Sequence, residues 1–525
     1  MLVKTMKLPY LVMIALLLAV GCSTPPQDRA NLQKIQSSTP EAVKPVIVIL
    51  IDSLMDKPLR EAIQQGRAPA LQFLLSKGQY YPQMVSSFPT MSVTIDSTFL
   101  TGTYADQHQV PGLVWYSGNE NRLIYYGNGP KEALKIDQVQ QFIDSVYELN
   151  QNHLSKKTKT IHEELAEKGK HSASINAIIY RGKTEHSLHV PTYIEKSTRL
   201  PEEMRVKGPS LLSYAALAQL DPQNRRNARL WKKYGLNNQF SAQDIAYLIE
   251  QRKLPDVTIA YFPENDMSVH NKGSAQTEGI VKADQALQIA LNAYGSWEQA
   301  VHQAVWIVMG DSGQTDVRED RQAATIDLRS LLSDYRIAKI GQPVKAADQL
   351  VIAANERMSY IYAIDSQVSP AQVVKHLQKE DKLDIIAMKD SQNVQVTAGK
   401  SNQTFSYRPK GKFVDEYGQS WTWTGDPRLL DMTITNNRIT YGKYPDVLAR
   451  LYGAMHSHEG KYVVITVKPG YELAGENSPS HRGGAAHGSL HAQDSHVPIL
   501  VTGTDTRPKT LRIVDLKDWI LQLVK

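Results

Sequence analysis

The sequence is poor in cysteine, with one in 525 residues. That excludes an intramolecular disulfide framework and any cysteine-ligated zinc finger. A metal centre in this chain must draw on histidine and carboxylate ligands. Charge of one sign is lacking too. Lys and Arg number 59 against 53 Asp and Glu, a net +6. No long basic block accompanies that excess, so no nucleic-acid partner is expected. Long apolar runs are scarce: Leu8 to Val20 is one, and it falls short of the roughly 20 residues that cross a bilayer. No internal repeat is present. With 42% hydrophobic and 21% charged residues the chain can still bury a full core. Its length fits one large α/β domain with insertions.

The lone cysteine ends that apolar run. Lys4 and Lys7 precede it, and Leu18-Ala19-Val20-Gly21-Cys22 closes it. The arrangement reads as a cleaved export signal, and small residues before a cysteine resemble a bacterial lipobox. The expectation is a signal peptide over residues 1–22, lipidation at Cys22, and a membrane partner reached through that anchor. The rest of the chain then lies on the extracytoplasmic face. Residues 23–44 are rich in Ser, Thr, Pro, Gln and Lys and read as a flexible tether.

The folded part is expected over 45–525. Val46 to Ile51 is a continuous apolar run, as in a parallel strand buried on both faces. Val257 to Phe262, Ala304 to Met309 and Val497 to Thr502 read the same way, and Ser172 to Tyr180 reads as a further strand. Amphipathic segments alternate with them: Ala68 to Lys77, Thr160 to Lys168 and Glu278 to Leu291. This predicts an α/β fold with a mostly parallel central sheet and helices on both faces. From about 320 to 480 the pattern changes to short strands with interspersed Tyr, Phe and Trp, a small α+β insertion.

Ligands of such sheets bind at the carboxyl ends of the strands. There the sequence places Asp52, then Asp266 and His270, then Asp311-Ser312-Gly313, and finally His487 and His491 just before the last strand. A lone Asp after a strand is often a cap or turn former. Four strand ends with metal-type side chains are harder to explain that way. The hydroxyl-rich segment Ser86 to Thr94 leads into a short helix, Val93 to Leu100. A hydroxyl there caps the helix, or it acts as a nucleophile favoured by the positive helix end.

Taken in order, VILID, FPTMSVTIDSTFLTGTYADQHQVPG, FPENDMSVH, VMGDSG and HGSLHAQDSHVPIL resemble the type I phosphodiesterase and nucleotide pyrophosphatase family of the alkaline phosphatase superfamily. The resemblance implies an alkaline-phosphatase-like fold and a hydrolase of phosphodiester or nucleotide pyrophosphate bonds, with a small phosphate ester as substrate. It implies two divalent ions, zinc or else manganese. One would be held by Asp266, His270 and His487, the other by Asp52, Asp311 and the nucleophile. The nucleophile falls at Ser92 by the family's spacing before Thr101-Gly102, with Thr90 and Thr94 as alternatives. His491 is the alternative to His487. Ser92 would form a covalent phosphoseryl intermediate. Two departures stand out. Ser312 replaces the family's second histidine, so the second site loses an imidazole unless His491 or His481 supplies one. Leu113 follows the Pro111-Gly112 turn, where relatives often carry Asn. A non-catalytic binding protein, a sulfate or phosphonate ester hydrolase, and a phosphoglycerol transferase are the other readings.

Overall fold

The computed structural model describes residues 29–37, 43–127 and 129–525. The expected export signal, Cys22 and half of the expected tether lie outside the described residues. Among those described, no helix is long and apolar enough to cross a membrane. Part of the expected tether is not a free spacer: Arg29–Lys34 is helical. Leu32, in that helix, and Ile35, just past it, are buried against the main core.

The first sheet takes six strands before the chain leaves it: β1 (Val46–Ile51), β2 (Gly78–Val85), β3 (Ser172–Ile175), β4 (Leu211–Ser213), β5 (Val257–Phe262) and β6 (Val305–Gly310). The chain then builds a second sheet from β7 (Leu350–Asn355), β8 (Met358–Ala363), β9 (Leu383–Asp390), β10 (Asn393–Thr397), β11 (Phe405–Asp415), β12 (Ser420–Gly425), β13 (Met432–Thr435), β14 (Arg438–Tyr441) and β15 (Tyr462–Val467). It returns to the first sheet as β16 (His496–Thr502).

The first sheet runs β2–β16–β6–β1–β5–β3–β4. The pairs β1–β6, β1–β5, β3–β5 and β3–β4 are parallel, and β16 is antiparallel to both β6 and β2. Both faces are covered, which is why β1 needs an unbroken apolar run rather than an alternating one. Val46, Val48 and Leu50 meet Phe99, Leu165 and Trp519 on one face. Ile47, Ile49 and Ile51 meet Leu71, Ile245 and Leu287 on the other. Burying each such side chain is worth about 1.5–3 kcal/mol.

One local reading needs correction. The strand expected over Ser172 to Tyr180 stops at Ile175, because Asn176 takes a positive φ of 54°. There its side chain bonds Gly235 O, Ser241 Oγ and Ala215 N. Gly78, which ends the helix Pro69–Lys77, has an extended backbone and opens β2, where a Cβ would stand 2.1 Å from Val501 O.

The second sheet has nine strands, against seven in the first. Val447–Met455 packs its Val447, Leu448 and Leu451 on one face. Pro370–Leu377 packs Val373 and Leu377 on the other. The tip of the β7–β8 hairpin, Glu356-Arg357, points at the carboxyl edge of the first sheet, where Arg357 N donates to His487 O at 3.0 Å.

Candidate metal centre and its surroundings

Each chemically suggestive residue reaches the edge by a local device. Asp52 follows β1, and Asp311 follows β6, the neighbouring parallel strand. α1 (Ser92–Thr101) starts at Ser92 and ends at Gly102, whose φ of 65° suits a left-handed cap. α2 (Glu264–Lys272) carries Asp266 and His270 four residues apart, hence on one face. Asn265 fastens its start to β1, with Nδ2 donating to Asp52 O and Ser53 O, both at 2.9 Å. The ladder Thr315↔Ala486 brings His487 to the same edge. Gly488 follows with φ 122°, in a place where a Cβ would stand 2.6 Å from Asn355 O.

Donor atoms of Asp266, His270 and His487 all lie within 4.8 Å of one another. His270 Nε2 is 3.1 Å from Asp266 Oδ1, and His487 Nε2 is 3.7 Å from the same oxygen. Each imidazole is oriented from behind. His270 Nδ1 donates to Ala485 O at 2.8 Å, and His487 Nδ1 donates to Thr90 O. A carbonyl can only accept, so both Nδ1 atoms carry the proton and both Nε2 atoms face the carboxylate. This is the arrangement that readies histidines as metal ligands. Burial opposes ionisation of His270, but Asp266 and Glu356 outweigh it and raise its pKa to about 10. Burial likewise opposes ionisation of Asp266, and His270 and His487 outweigh it and lower its pKa.

Asp52 and Asp311 sit differently. Asp311 Oδ1 accepts from the backbone N–H of Ser53 at 2.9 Å and of Ser312 at 2.7 Å. Asp52 Oδ2 accepts from Tyr261 Oη at 2.5 Å. The remaining oxygens, Asp52 Oδ1 and Asp311 Oδ2, are buried with no hydrogen-bond donor. Burial raises the pKa of both groups, and repulsion from neighbouring carboxylates adds to it. Two orphaned carboxylate oxygens fit a cation. The Ser92 hydroxyl stands beside Asp311 and partly offsets that rise.

The alternatives to Ser92 are otherwise engaged. Thr90 Oγ1 accepts from Gly488 N at 2.6 Å, and Thr94 Oγ1 donates to Val110 O at 3.2 Å. Ser312 Oγ is 3.2 Å from Ser53 Oγ. His491 caps a short helix through Gln493 N and packs on Tyr444. His481 stacks on His270 with ring centroids 4.3 Å apart. Among the described residues, no histidine joins Asp52 and Asp311 in a compact ligand group. Arg181 is a strut: it donates to Leu154 O at 2.7 Å and Thr158 O at 2.6 Å.

Several residues at the edge escaped the sequence reading. Ser53 Oγ donates to Asp266 Oδ1 at 2.9 Å. Gln314 Nε2 reaches Ser53 Oγ at 2.9 Å and Asp266 Oδ1 at 2.7 Å, linking the two carboxylate sets. Glu356 and His481 form a second group of possible ligands with His270. The adjacency of Ser53 to Asp52, and of Gln314 to Asp311-Ser312-Gly313, was a usable signal. Nothing local marks Glu356.

The family model for type I phosphodiesterase / nucleotide pyrophosphatase matches residues 46–490. No curated protein matches the sequence at a significant level. Among solved structures, murine ectonucleotide pyrophosphatase / phosphodiesterase 5, as an inactive variant in complex with AMP, superposes with a TM-score of 0.53 at 13% identity, covering 92% of this chain and 95% of that one. The human counterpart gives 0.54 at 11% identity over 92% and 95%. The likeness establishes the alkaline-phosphatase-like fold.

Proposed function

The chain belongs to the type I phosphodiesterase / nucleotide pyrophosphatase family, and from that premise we propose an exported, lipid-anchored, metal-dependent phosphohydrolase that cleaves phosphodiester or nucleotide pyrophosphate bonds. The observation that carries this reading is the convergence of Asp266, His270 and His487 within 4.8 Å, with both imidazoles held by backbone carbonyls. Asp266, His270 and His487 would hold one divalent ion, and Asp52, Asp311 and Ser92 the other. When bound, such ions supply positive charge to the phosphoryl oxygens and favour the ionised nucleophile. Zinc suits the first set, whereas the oxygen-only second set also suits manganese.

Ser92 opens α1, so its hydroxyl lies at the positive end of the helix dipole. Asp311 orients that hydroxyl. Ser92 Oγ gives up its proton to water and attacks phosphorus in line, and the ester or pyrophosphate oxygen departs on the opposite side. Water then releases the phosphoryl group from Ser92. The AMP in the murine relative's complex makes a nucleotide a reasonable first substrate to try. Cys22 would tether the domain outside the cytoplasm, a reading that rests on residues 1–22.

Protein lacking its first 22 residues and loaded with zinc or manganese should hydrolyse bis-p-nitrophenyl phosphate or a dinucleoside pyrophosphate. Ser92→Ala should cut turnover by roughly 10⁴-fold or more without unfolding the chain. No turnover of any phosphodiester, pyrophosphate, phosphomonoester or sulfate ester by metal-loaded protein would overturn the enzyme reading. A non-catalytic binder is favoured by one observation, the all-hydroxyl contact of Ser312 with Ser53 where relatives supply an imidazole. Nucleotide binding without turnover would select it.

A further inference from the structure

Beside the first centre stands a second group of ligand-type side chains. Donor atoms of His270, Glu356 and His481 all lie within 4.8 Å of one another. Glu356 and His481 do not join Asp266 and His487 in one compact group, and His270 alone belongs to both. Two imidazoles and a glutamate are a donor set that holds zinc. The group is the looser of the two: Glu356 Oε1 stands 3.7 Å from His270 Nε2, against 3.1 Å for Asp266 Oδ1.

Both added side chains are held from behind. Glu356 sits at the tip of the β7–β8 hairpin, where Asn355 pairs with Met358. Its φ of 56° is one that a non-glycine residue adopts only at a steric cost. Its Oε2 accepts from His487 N at 3.0 Å, which leaves Oε1 for an ion. His481 is brought onto α2 by Gly483-Gly484. Gly483 has a φ of 71°, and a Cβ on Gly484 would stand 1.9 Å from His270 O. The His481 ring then stacks on that of His270, with centroids 4.3 Å apart. Behind it lies the fully buried Glu472, whose Oε2 accepts from His481 N at 3.0 Å and stands 3.3 Å from His481 Nδ1. Ser480 Oγ and Thr325 Oγ1 donate to Glu472 Oε1 at 2.6 and 3.1 Å. A fixed carboxylate behind an imidazole is the usual support of a metal-ligating histidine.

His270 cannot serve both groups at once. Its Nδ1 donates to Ala485 O at 2.8 Å, so Nε2 is its one available nitrogen, and a single lone pair binds a single ion. We propose that His270, Glu356 and His481 form an alternate divalent-ion seat, weaker than the one at Asp266, His270 and His487 and exclusive with it. One ion is thus divided between two seats that share an imidazole. In the alternate seat it is off Asp266 and His487 and rests outside the catalytic position. This rests on the metal-centre reading above, and the test separates the two.

Zinc affinity of the metal-free protein is measured by competition with a chromogenic chelator, alongside the visible absorption of the cobalt-substituted protein. Asp266→Asn, His487→Ala and His270→Ala each leave two of the first seat's three ligands. Only His270→Ala also damages the alternate seat. Asp266→Asn and His487→Ala should therefore keep a similar residual affinity, and His270→Ala should bind at least about tenfold more weakly than either. In the Asp266→Asn background, His481→Ala and, separately, Glu356→Gln should each cut the residual affinity by about tenfold or more and weaken the cobalt band. Far-ultraviolet circular dichroism of each metal-free variant checks folding. Equal losses in the three single variants, with His481→Ala and Glu356→Gln changing nothing in the Asp266→Asn background, would remove the alternate seat and leave the first centre standing. A loss of tight zinc on His481→Ala alone, as large as that on Asp266→Asn, would make His481 a ligand of the tight ion and overturn the exclusive seats. If none of the three single variants loses tight zinc, the centre itself is wrong and the proposal falls with it.

Discussion

The two halves of the strand-edge site are made of different materials. The half at Asp266 mixes nitrogen and oxygen donors, and its charges already answer one another: His270 is raised to about 10 and Asp266 is lowered. The half at Asp52 and Asp311 offers oxygen alone. Burial raises both carboxyls there, and two of their oxygens have no donor. The first half is balanced without an added ion because an imidazolium fills the role. The second holds negative charge that only a proton or a cation can offset. The difference traces to Ser312, which meets Ser53 at 3.2 Å and brings no nitrogen. In the proposed reading, one edge of one sheet would carry a centre suited to zinc beside a weaker one suited to a harder ion.

Asp266→Asn is the largest blow to this contrast. It takes the charge from the oxygen that meets His270, Ser53 and Gln314. Zinc affinity should fall by about 10²-fold or more, read by chelator competition, because a neutral amide is a poor ligand. Equal losses at both ions would mean the halves are not separable.

Ser312→His goes the other way and should erase the contrast. It adds an imidazole beside Asp311, and occupancy of a second zinc ion should rise by about tenfold in titration calorimetry. Ser312 is fully buried, so thermal melting must show that the larger side chain is accommodated. A folded variant with unchanged second-ion affinity would show that Ser312 is not what weakens that half.

Asp244→Asn should move neither half. Asp244 lies under the first sheet, where it accepts from Asn224 Nδ2 at 2.8 Å and from the Ser213 hydroxyl. Burial lifts its pKa from 3.8 to about 6. A carboxyl raised in the folded state favours folding most below its unfolded pKa, and that contribution is lost as pH rises through the folded value. The wild type should lose roughly 2–3 kcal/mol between about pH 4 and 6 from this group. The Asn variant should lack that slope, as measured by urea melts across the window, while zinc affinity stays unchanged.

Much of this was legible beforehand for reasons that differ by region. β1, β5 and β6 are unbroken apolar runs because both their faces are covered, and such runs announce themselves. Asp266 and His270 are readable because four residues is one helical turn. The second sheet was harder. Its hairpin strands carry exposed and buried residues in irregular alternation, as in β11 (Phe405–Asp415), so the sequence shows hairpins but not their order. Glu356 was invisible because its meaning comes from the β7–β8 tip meeting the loop of His487, a contact between residues 131 positions apart. Ser53 and Gln314 stood next to residues already singled out, but their bridge to Asp266 exists only once α2 has docked on β1.

The asymmetry between the halves is tested most directly by counting ions. Anchor-free protein is saturated with zinc, dialysed against metal-free buffer, and assayed by elemental mass spectrometry for wild type and His270→Ala. The account predicts one retained zinc per wild-type chain and none in His270→Ala. Two equally retained ions in the wild type, or one that survives loss of His270, would contradict it.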